Sequence, residues 1–235
     1  MLPMPGKNNF SNRFNPYRWS APVYEDPEEV IEAVKSSHLI SKRLRSVRVI
    51  GEAVPCFKTK GSGSAPTQEP RINCFEAQEP FIFEFDDGST LEFWPQGPDY
   101  LRMACSTISS AIKNGMSFNT PIFQEFFAGV FGESWQGYEF KDFEIVRIKH
   151  KAKVTSSIKG KIKEDIGDEI YYRFRFGNDC CFEFRPNPTG DKYDIFFSHG
   201  DSNSVPSSQL NSLSDGSDLL THICWSTAPF CDSVD

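Results

Sequence analysis

The chain of 235 residues has no long apolar run. No stretch approaches the roughly 20 apolar residues that a membrane-spanning helix needs, so we expect no membrane partner. The segment from Met1 to Trp19 also contains no apolar run of signal-peptide length. Both absences favour a protein that stays inside the cell, and we expect it in the cytoplasm.

Regularly spaced cysteine pairs are also missing. The seven cysteines are an odd number and stand at irregular intervals, at positions 56, 74, 105, 180, 181, 224 and 231. A disulfide-stapled domain and a structural zinc site both need paired cysteines, so the sequence predicts neither. His222, Cys224 and Cys231 have the chemistry of metal ligands but lack the spacing of a zinc site. We therefore predict no metal and no cofactor.

Glycine-rich phosphate loops and an overall positive charge are absent as well. Neither G-x-x-x-x-G-K-[ST] nor G-x-G-x-x-G occurs in the chain. The net charge is −7 and the pI is about 5.2. An acidic chain disfavours nucleic-acid binding over its whole surface, which leaves such binding to a local basic patch.

Phenylalanine, by contrast, is abundant, and much of it falls in a segment that occurs twice. Residues 83–95 align without a gap on residues 174–186. Each copy reads Phe-x-Phe, a polar turn with glycine, and then apolar-Glu-Phe-x-Pro. Alternating Phe predicts strands with one side in a core, and Asp87-Gly88 predicts a hairpin turn. The duplication predicts two copies of one β-rich unit.

Two segments carry helix signals. Asp26 is an N-cap candidate and Pro27 suits a first helical position, which predicts a helix from Pro27 to about Ser37. Thr120-Pro121 has the same signal, and apolar residues follow at helical spacing, so a second helix is predicted up to Gly132. Residues 58–70 are rich in Gly, Ser, Pro and Thr, and this composition predicts a loop.

These elements predict a β-rich α+β fold of two tandem pseudo-repeats. Each repeat would contain one helix plus an antiparallel β-meander, and the two would pack as one compact body. Residues 1–20 are predicted to be an irregular tail, residues 21–135 the first repeat, and residues 136–235 the second, with the halves sharing one core. Val47-Arg48-Val49 and Val146-Arg147-Ile148 precede the two hairpins and extend the predicted repeat.

Basic residues alternate along the predicted strand 140–154 and along its predicted return. We interpret them as a two-strand, partner-binding face formed by Arg147, Lys149, Lys151, Lys153, Lys159, Lys161 and Lys163. Such a face attracts an acidic protein or RNA. Lysines on an edge strand also prevent aggregation, so this second interpretation stays open.

Three residues are candidates for catalysis. His199 and Asp201 place an imidazole beside a carboxylate where a predicted strand enters a polar loop. Glu183 and its repeat counterpart Glu92 would approach each other as an acid/base pair if the two halves packed about a pseudo-twofold axis. A glutamate on the polar side of an alternating strand is the simpler interpretation of both positions.

The first functional hypothesis is a non-catalytic intracellular protein of the adaptor or immunity type, with another protein as its favoured partner. The first alternative is a hydrolase-like enzyme with a site between the halves, using His199, Asp201 or Glu183. The second alternative is an RNA-binding protein that uses the basic hairpin.

Overall fold

The computed structural model describes residues 21–50, 54–60, 67–77, 80–96, 100–106, 123–125, 136–155, 162–178, 180–186, 192–198 and 218–228. These residues form one short helix, α1 (Pro27–Ser36), and thirteen strands. The strands are β1 (Val23–Tyr24), β2 (Leu44–Ile50), β3 (Val54–Lys60), β4 (Thr67–Ala77), β5 (Phe81–Phe85), β6 (Thr90–Gln96), β7 (Tyr100–Ser106), β8 (Phe123–Glu125), β9 (Phe140–Thr155), β10 (Ile162–Phe176), β11 (Cys180–Pro186), β12 (Tyr193–Ser198) and β13 (Asp218–Ser226).

Helix α1 begins and ends where its sequence predicts. The Asp26 carboxylate accepts a hydrogen bond of 2.9 Å from the backbone N–H of Glu28, so it satisfies an N-terminal amide that has no partner within the helix. The buried side of α1 carries Val30, Ile31 and Val34. This prediction is confirmed.

The strands form two antiparallel sheets. The small sheet has six strands in the order β1-β7-β6-β5-β2-β8, and the large sheet has seven in the order β13-β9-β10-β11-β12-β4-β3. Every strand pairing among the described residues of both sheets is antiparallel. The described chain is therefore a β-rich fold of two antiparallel sheets with one short helix.

The two copies of the repeated segment form hairpins with the same register. In the first hairpin Phe83 pairs with Leu91, and in the second hairpin the aligned residues Phe174 and Phe182 pair. Likewise Phe81 pairs with Phe93, as Tyr172 pairs with Phe184. The aligned residues thus occupy matching ladder positions, one hairpin in each sheet.

The sheets pack against each other through their phenylalanine sides. The ring centroids of Phe83 and Phe174 are 4.8 Å apart. The ring centroids of Phe93 and Phe174 are 4.7 Å apart, and these two rings meet edge to face. Edge-to-face and offset rings are the favoured aromatic geometries. Phe rings dominate the largest fully buried side chains, namely Phe81, Phe83, Phe85, Phe93, Phe140, Phe143, Phe174, Phe182 and Phe184. The interpretation of the alternating Phe as core is confirmed.

Two local predictions are wrong. Where the sequence predicts a second helix, Phe123–Glu125 is a strand that pairs with β2. Pairing within a sheet overrides the local helical spacing of apolar residues. The rest of that predicted helix lies outside the described residues. Where a loop is predicted over residues 58–70, the chain forms parts of β3 and β4, which pair with each other. β4 also pairs with β12, so a segment of the predicted first repeat joins the sheet of the second.

The extension of the repeat before the hairpins needs a three-residue correction. Val47 pairs with Phe83, whereas the counterpart Phe174 pairs with Phe143. The structural equivalent of Val47-Arg48-Val49 is therefore Phe143-Glu144-Ile145 rather than Val146-Arg147-Ile148. The basic part of β9 lies beyond the segment that matches β2.

Candidate interaction surface

The basic residues of β9 lie on the continuation of the core side of the large sheet. β9 and β10 are 16 and 15 residues long. On β9, Phe143 and Ile145 are buried in the core, and successive residues alternate sides, so the next residues on the core side begin with Arg147. We call this surface the ledge: the core side of β9, β10 and β13 beyond Ile145. Its described members are Arg147, Lys149, Lys151, Ile166, Asp168, Ile170, Thr221 and Ile223.

Not all of the predicted basic residues share this surface. Lys153 pairs with Glu164, whereas Lys163 pairs with Val154, so the two lysines occupy alternate ladder positions and do not belong to one face. Lys159 and Lys161 lie outside the described residues. The predicted two-strand positive face is therefore reduced, in the described chain, to the row on β9.

An acidic residue interrupts the positive charge of the ledge. Arg147 donates from Nε to Asp168 Oδ1 at 3.0 Å and from Nη2 to Oδ2 at 2.5 Å. These hydrogen bonds lower the pKa of Asp168 below its ordinary value. Asp168 also pairs across the ladder with Lys149, so one carboxylate lies beside two cations. Two further acidic residues stand at ladder positions of the same row, Asp218 opposite Lys151 and Glu164 opposite Lys153. Among the ledge residues named above, three are basic and one is acidic.

Exposed isoleucines lie between these charges. Ile166 is 66% exposed and pairs with Lys151, and Ile223 is 43% exposed and pairs with Arg147. Ile170 lies closer to the core and is buried. The ledge thus combines apolar and cationic side chains, as protein-binding surfaces often do. Neither exposed isoleucine was predicted from the sequence, although the β-branched and aromatic residues within 218–226 are a strand signal.

A small depression marks the base of the ledge, where α1 begins. Its lining includes Tyr24, Asp26, Pro27, Arg147, Ile170 and Tyr172. Its volume is about 30 Å³, which is room for one or two water molecules. Small-molecule sites occupy roughly 300–1,000 Å³, so this depression does not hold an organic substrate.

Glu183, a predicted catalytic candidate, lies on the outer side of the large sheet within an ionic network. It is 2% exposed. Arg173 Nη2 donates to Glu183 Oε2 at 3.0 Å, and Arg185 Nη2 donates to Oε1 at 2.5 Å. The Arg185 guanidinium also lies 4.6 Å from the ring centroids of both Tyr171 and Phe196, a cation–π arrangement. Both carboxylate oxygens of Glu183 therefore already accept hydrogen bonds from guanidinium groups.

Glu144 extends this network toward β9. Arg173 Nη1 donates to Glu144 Oε2 at 3.0 Å, and Arg175 Nε donates to Oε1 at 2.8 Å. Burial alone would raise the pKa of Glu144, but the hydrogen bonds and charges of Arg175 and Arg173 outweigh it and hold that pKa below its ordinary value. The two glutamates and their arginines form a connected set of ion pairs across neighbouring strands.

The predicted approach of Glu92 to Glu183 does not occur. Leu91 and Phe93 face the core, so Glu92, between them, belongs to the outer side of the small sheet. Glu183 belongs to the outer side of the large sheet, so the phenylalanine core separates the two carboxylates. His199 and Asp201 lie outside the described residues.

The cysteines that the structure describes show no reactive arrangement. Burial raises the pKa of the Cys181 thiol to about 12, so it is neutral at physiological pH. Cys224 is exposed on β13, where its pKa is also raised by burial of its sulfur. Within the described ranges no three His, Cys, Asp or Glu residues are grouped to hold a metal ion; Cys231 lies outside them.

No family model, no curated protein and no solved structure matches this chain. In the described part of the chain, no helix has the length and apolar character to cross a bilayer.

Proposed function

We propose that this protein is a non-catalytic, cytoplasmic binding protein of the adaptor or immunity type, which binds an acidic segment of another protein on the ledge. The observation that carries the proposal is the combination of Arg147, Lys149 and Lys151 with the exposed Ile166 and Ile223. The whole chain carries a net charge of −7, so this local positive region is complementary to a partner that the remaining surface repels.

The contents of the core support a binding role over the hydrolase-like alternative. Between the two sheets lie Phe rings in mutual contact, such as Phe93 against Phe143, Phe174 and Phe184. Close-packed rings leave no polar cleft there in the described chain, and a catalytic site needs convergent polar groups. The enzyme alternative now depends on His199 and Asp201, which lie outside the described residues.

The composition of the ledge favours a protein partner over RNA. Single-stranded nucleic acid is bound by cationic grooves with aromatic platforms on which bases stack. The described ledge residues are basic, acidic and aliphatic, with Thr221, and none of them is aromatic. An acidic peptide with apolar side chains matches both the isoleucines and the cations.

A cytoplasmic setting is supported by the thiols. Cys74, Cys105, Cys180, Cys181 and Cys224 form no disulfide. Thiols persist in reducing compartments, whereas secreted domains commonly oxidise them.

We also infer that the two sheets derive from duplication of one antiparallel β-meander. The matched register of the β5–β6 and β10–β11 hairpins supports this inference. So does the strand order, in which β2-β5-β6-β7 corresponds to β9-β10-β11-β12.

Selection from a random peptide library on the immobilised protein tests the proposed function. We expect enrichment of peptides that combine Asp or Glu with apolar residues. Measured by fluorescence anisotropy, their affinity should fall at least about tenfold in the double variant Lys149→Glu, Lys151→Glu, since both attractive charges become repulsive.

The matched control is the double variant Lys35→Glu, Lys141→Glu, which makes the same charge change at exposed positions away from the ledge. It should bind the selected peptides as the parent protein does. Equal losses in both variants, or no enrichment of acidic peptides, would contradict the proposal. Preferential binding of a labelled polyuridine RNA, lost in the ledge variant, would replace it with the RNA alternative.

A further inference from the structure

We propose that the acidic partner segment adds as an extra β-strand to the free edge of β13. This inference rests on the proposed function and specifies how the partner is held. In strand addition, backbone hydrogen bonds supply affinity, and the alternating side chains of the added strand supply specificity.

Among the described edge strands of the two sheets, β13 has the least protection against pairing. Its protective features are Asp218 and a register shift between Leu219 and Thr221, both at its N-terminal end. β1 comprises two residues, directly after Pro22, and β8 is described over three. The edge strand β3 contains Pro55, Lys58 and Lys60. Short edges, Pro and Lys are the usual means by which proteins prevent the addition of a foreign strand. β13 has nine residues and contains no Pro, Lys or Arg.

In the described chain β13 has a strand partner on one side only, and α1 contacts it as well. In the part of the chain that the structure describes, β13 pairs with β9 and stands at the end of the sheet order. The consecutive residues Thr221, His222, Ile223 and Cys224 are all exposed. An added strand would find both the backbone and the alternate side chains of this segment accessible.

Hydrogen bonds to Asp142 fix the C-terminal end of β13 in the protein without a partner. Asp142, itself only 7% exposed, accepts hydrogen bonds from Ser226 Oγ at 2.9 Å, Thr227 Oγ1 at 2.6 Å and the backbone N–H of Ala228 at 2.9 Å. Thr227 N–H also donates to the Phe143 carbonyl at 3.0 Å. A preorganised edge loses little conformational entropy when it binds.

Charge complementarity selects an acidic strand for this edge. On the next strand inward, Lys149 and Arg147 pair with the uncharged Thr221 and Ile223, whereas Lys151 pairs with Asp218, so the attraction for an acidic strand is centred on Arg147 and Lys149. An added strand would lie about 5 Å outside β13 and about 10 Å from β9, a gap that a Lys or Arg and a Glu together span. Carboxylates on the core side of the added strand would therefore meet the basic ledge residues.

A second copy of this chain fits the edge less well. Its own β13 contains a single acidic residue, Asp218, in nine positions. Pairing of two β13 strands would thus bring one carboxylate from each copy toward the cations of the other. The proposed occupant is therefore an extended, acidic segment of a different protein.

Amide hydrogen exchange with a defined probe tests strand addition. The probe is an acetylated and amidated peptide of about ten residues in which Glu and Val alternate, long enough to cover β13. Its binding should slow exchange of the β13 amides by about tenfold or more, while the amides of β3 at the opposite edge remain unchanged. The sign-reversed peptide, with Lys in place of Glu, should not protect β13.

A second probe separates strand addition from simple charge attraction. N-methylation of every second residue of the Glu–Val peptide removes backbone donors on one edge and keeps every charge. There are two methylation phases, with the methyl groups on either the odd-numbered or the even-numbered residues. We expect one phase to weaken binding by at least about tenfold and the other to be tolerated, because successive N–H groups point to opposite edges of a strand.

The outcomes distinguish this inference from the proposed function. Ledge-dependent binding of acidic peptides without β13 protection, or with no difference between methylation phases, would overturn strand addition and leave the proposed function standing. Absence of any acidic-peptide binding would overturn both. Self-association in sedimentation experiments with protection of β13 would replace the acidic partner by a second copy.

Discussion

The Glu183 carboxylate has a structural role, because it is buried and accepts hydrogen bonds from two guanidinium groups. Arg173 and Arg185 occupy both of its oxygens, and Glu183 itself is 2% exposed. Removal of one partner from a buried ion pair leaves the other charge desolvated and uncompensated. The cost of such a change greatly exceeds the value of a surface ion pair.

The substitution Glu183→Gln should therefore lower the free energy of unfolding by about 3 kcal/mol. For a chain of this size that corresponds to a decrease in Tm of roughly 6–12 °C, measured by thermal denaturation. The matched change Glu139→Gln removes a half-exposed partner of the exposed Lys141 and should change Tm by less than about 2 °C. Equal Tm values for the Glu183 variant and the parent protein would show that the network contributes nothing to stability.

The lowered pKa of Glu144 predicts a pH dependence of stability. Arg175 and Arg173 favour the charged form of Glu144 in the folded chain. As the pH falls, Glu144 is therefore protonated in the unfolded chain at a higher pH than in the folded chain. The stabilisation is present above the ordinary carboxyl pKa of 4.5 and is lost as the pH falls below it. Urea midpoints measured between about pH 7 and about pH 3 should decrease more in the parent protein than in Glu144→Gln. Parallel pH profiles would contradict this assignment.

Among the elements, α1 illustrates stabilisation by local chemistry. Its N-terminal amide at Glu28 is satisfied by the Asp26 side chain. The substitution Asp26→Ala should cost about 1 kcal/mol in urea denaturation, whereas Asp26→Asn should retain most of the stability because Asn is also a good N-cap. Similar losses in the two variants would mean that the charge of Asp26, rather than its cap geometry, is what matters.

β13 depends instead on a contact that is distant in sequence. Asp142 on β9 holds Ser226, Thr227 and Ala228 at the end of β13. In Asp142→Ala we expect amide exchange of β13 to accelerate by about tenfold or more, while the amides of β11 stay protected in the sheet interior. Uniform acceleration in both strands would indicate global destabilisation, and the anchoring role would then be rejected.

For the two sheets together, the phenylalanine core makes one cooperative unit. Phe83 of the small sheet lies in ring contact with Phe174 of the large sheet. In a double-mutant cycle, Phe83→Leu and Phe174→Leu should show a coupling energy of at least about 0.5 kcal/mol, because the rings share a contact. Asp26→Ala combined with Phe174→Leu is the control and should be additive. Additive effects in the phenylalanine pair, or two separate unfolding transitions, would show that the sheets are stabilised independently.

Local patterns predicted the parts of this fold that local chemistry stabilises. The Asp26-Pro27 signal predicted α1, and the alternating Phe of the repeated segment predicted two hairpins with buried rings. Residues 58–70 and 120–132 were assigned from composition and spacing, yet described residues in both regions pair as strands. Strand pairing depends on neighbours that are remote in sequence, so composition alone could not reveal it.

The ledge, too, could be predicted only in part from the sequence. The alternation that grouped Arg147, Lys149 and Lys151 is visible in the sequence because successive strand residues always alternate sides. The exclusion of Lys163 from that row depends on its pairing with Val154, which is a matter of register between strands. Register also brought Ile166 and Ile223, from two other strands, into the row of basic residues.

The order of amino acids alone settled which segments are extended around the repeated phenylalanines, where α1 starts, and which side of each hairpin is apolar, since these follow from side-chain chemistry within a few residues. Only tertiary structure decided that β4 joins β12, that Glu92 and Glu183 are buried on the outer sides of different sheets, and that β13 forms an edge beside the basic row. The reason is physical: backbone hydrogen bonds between strands carry no side-chain code, so the partner and register of each strand are chosen by the packing of the whole core.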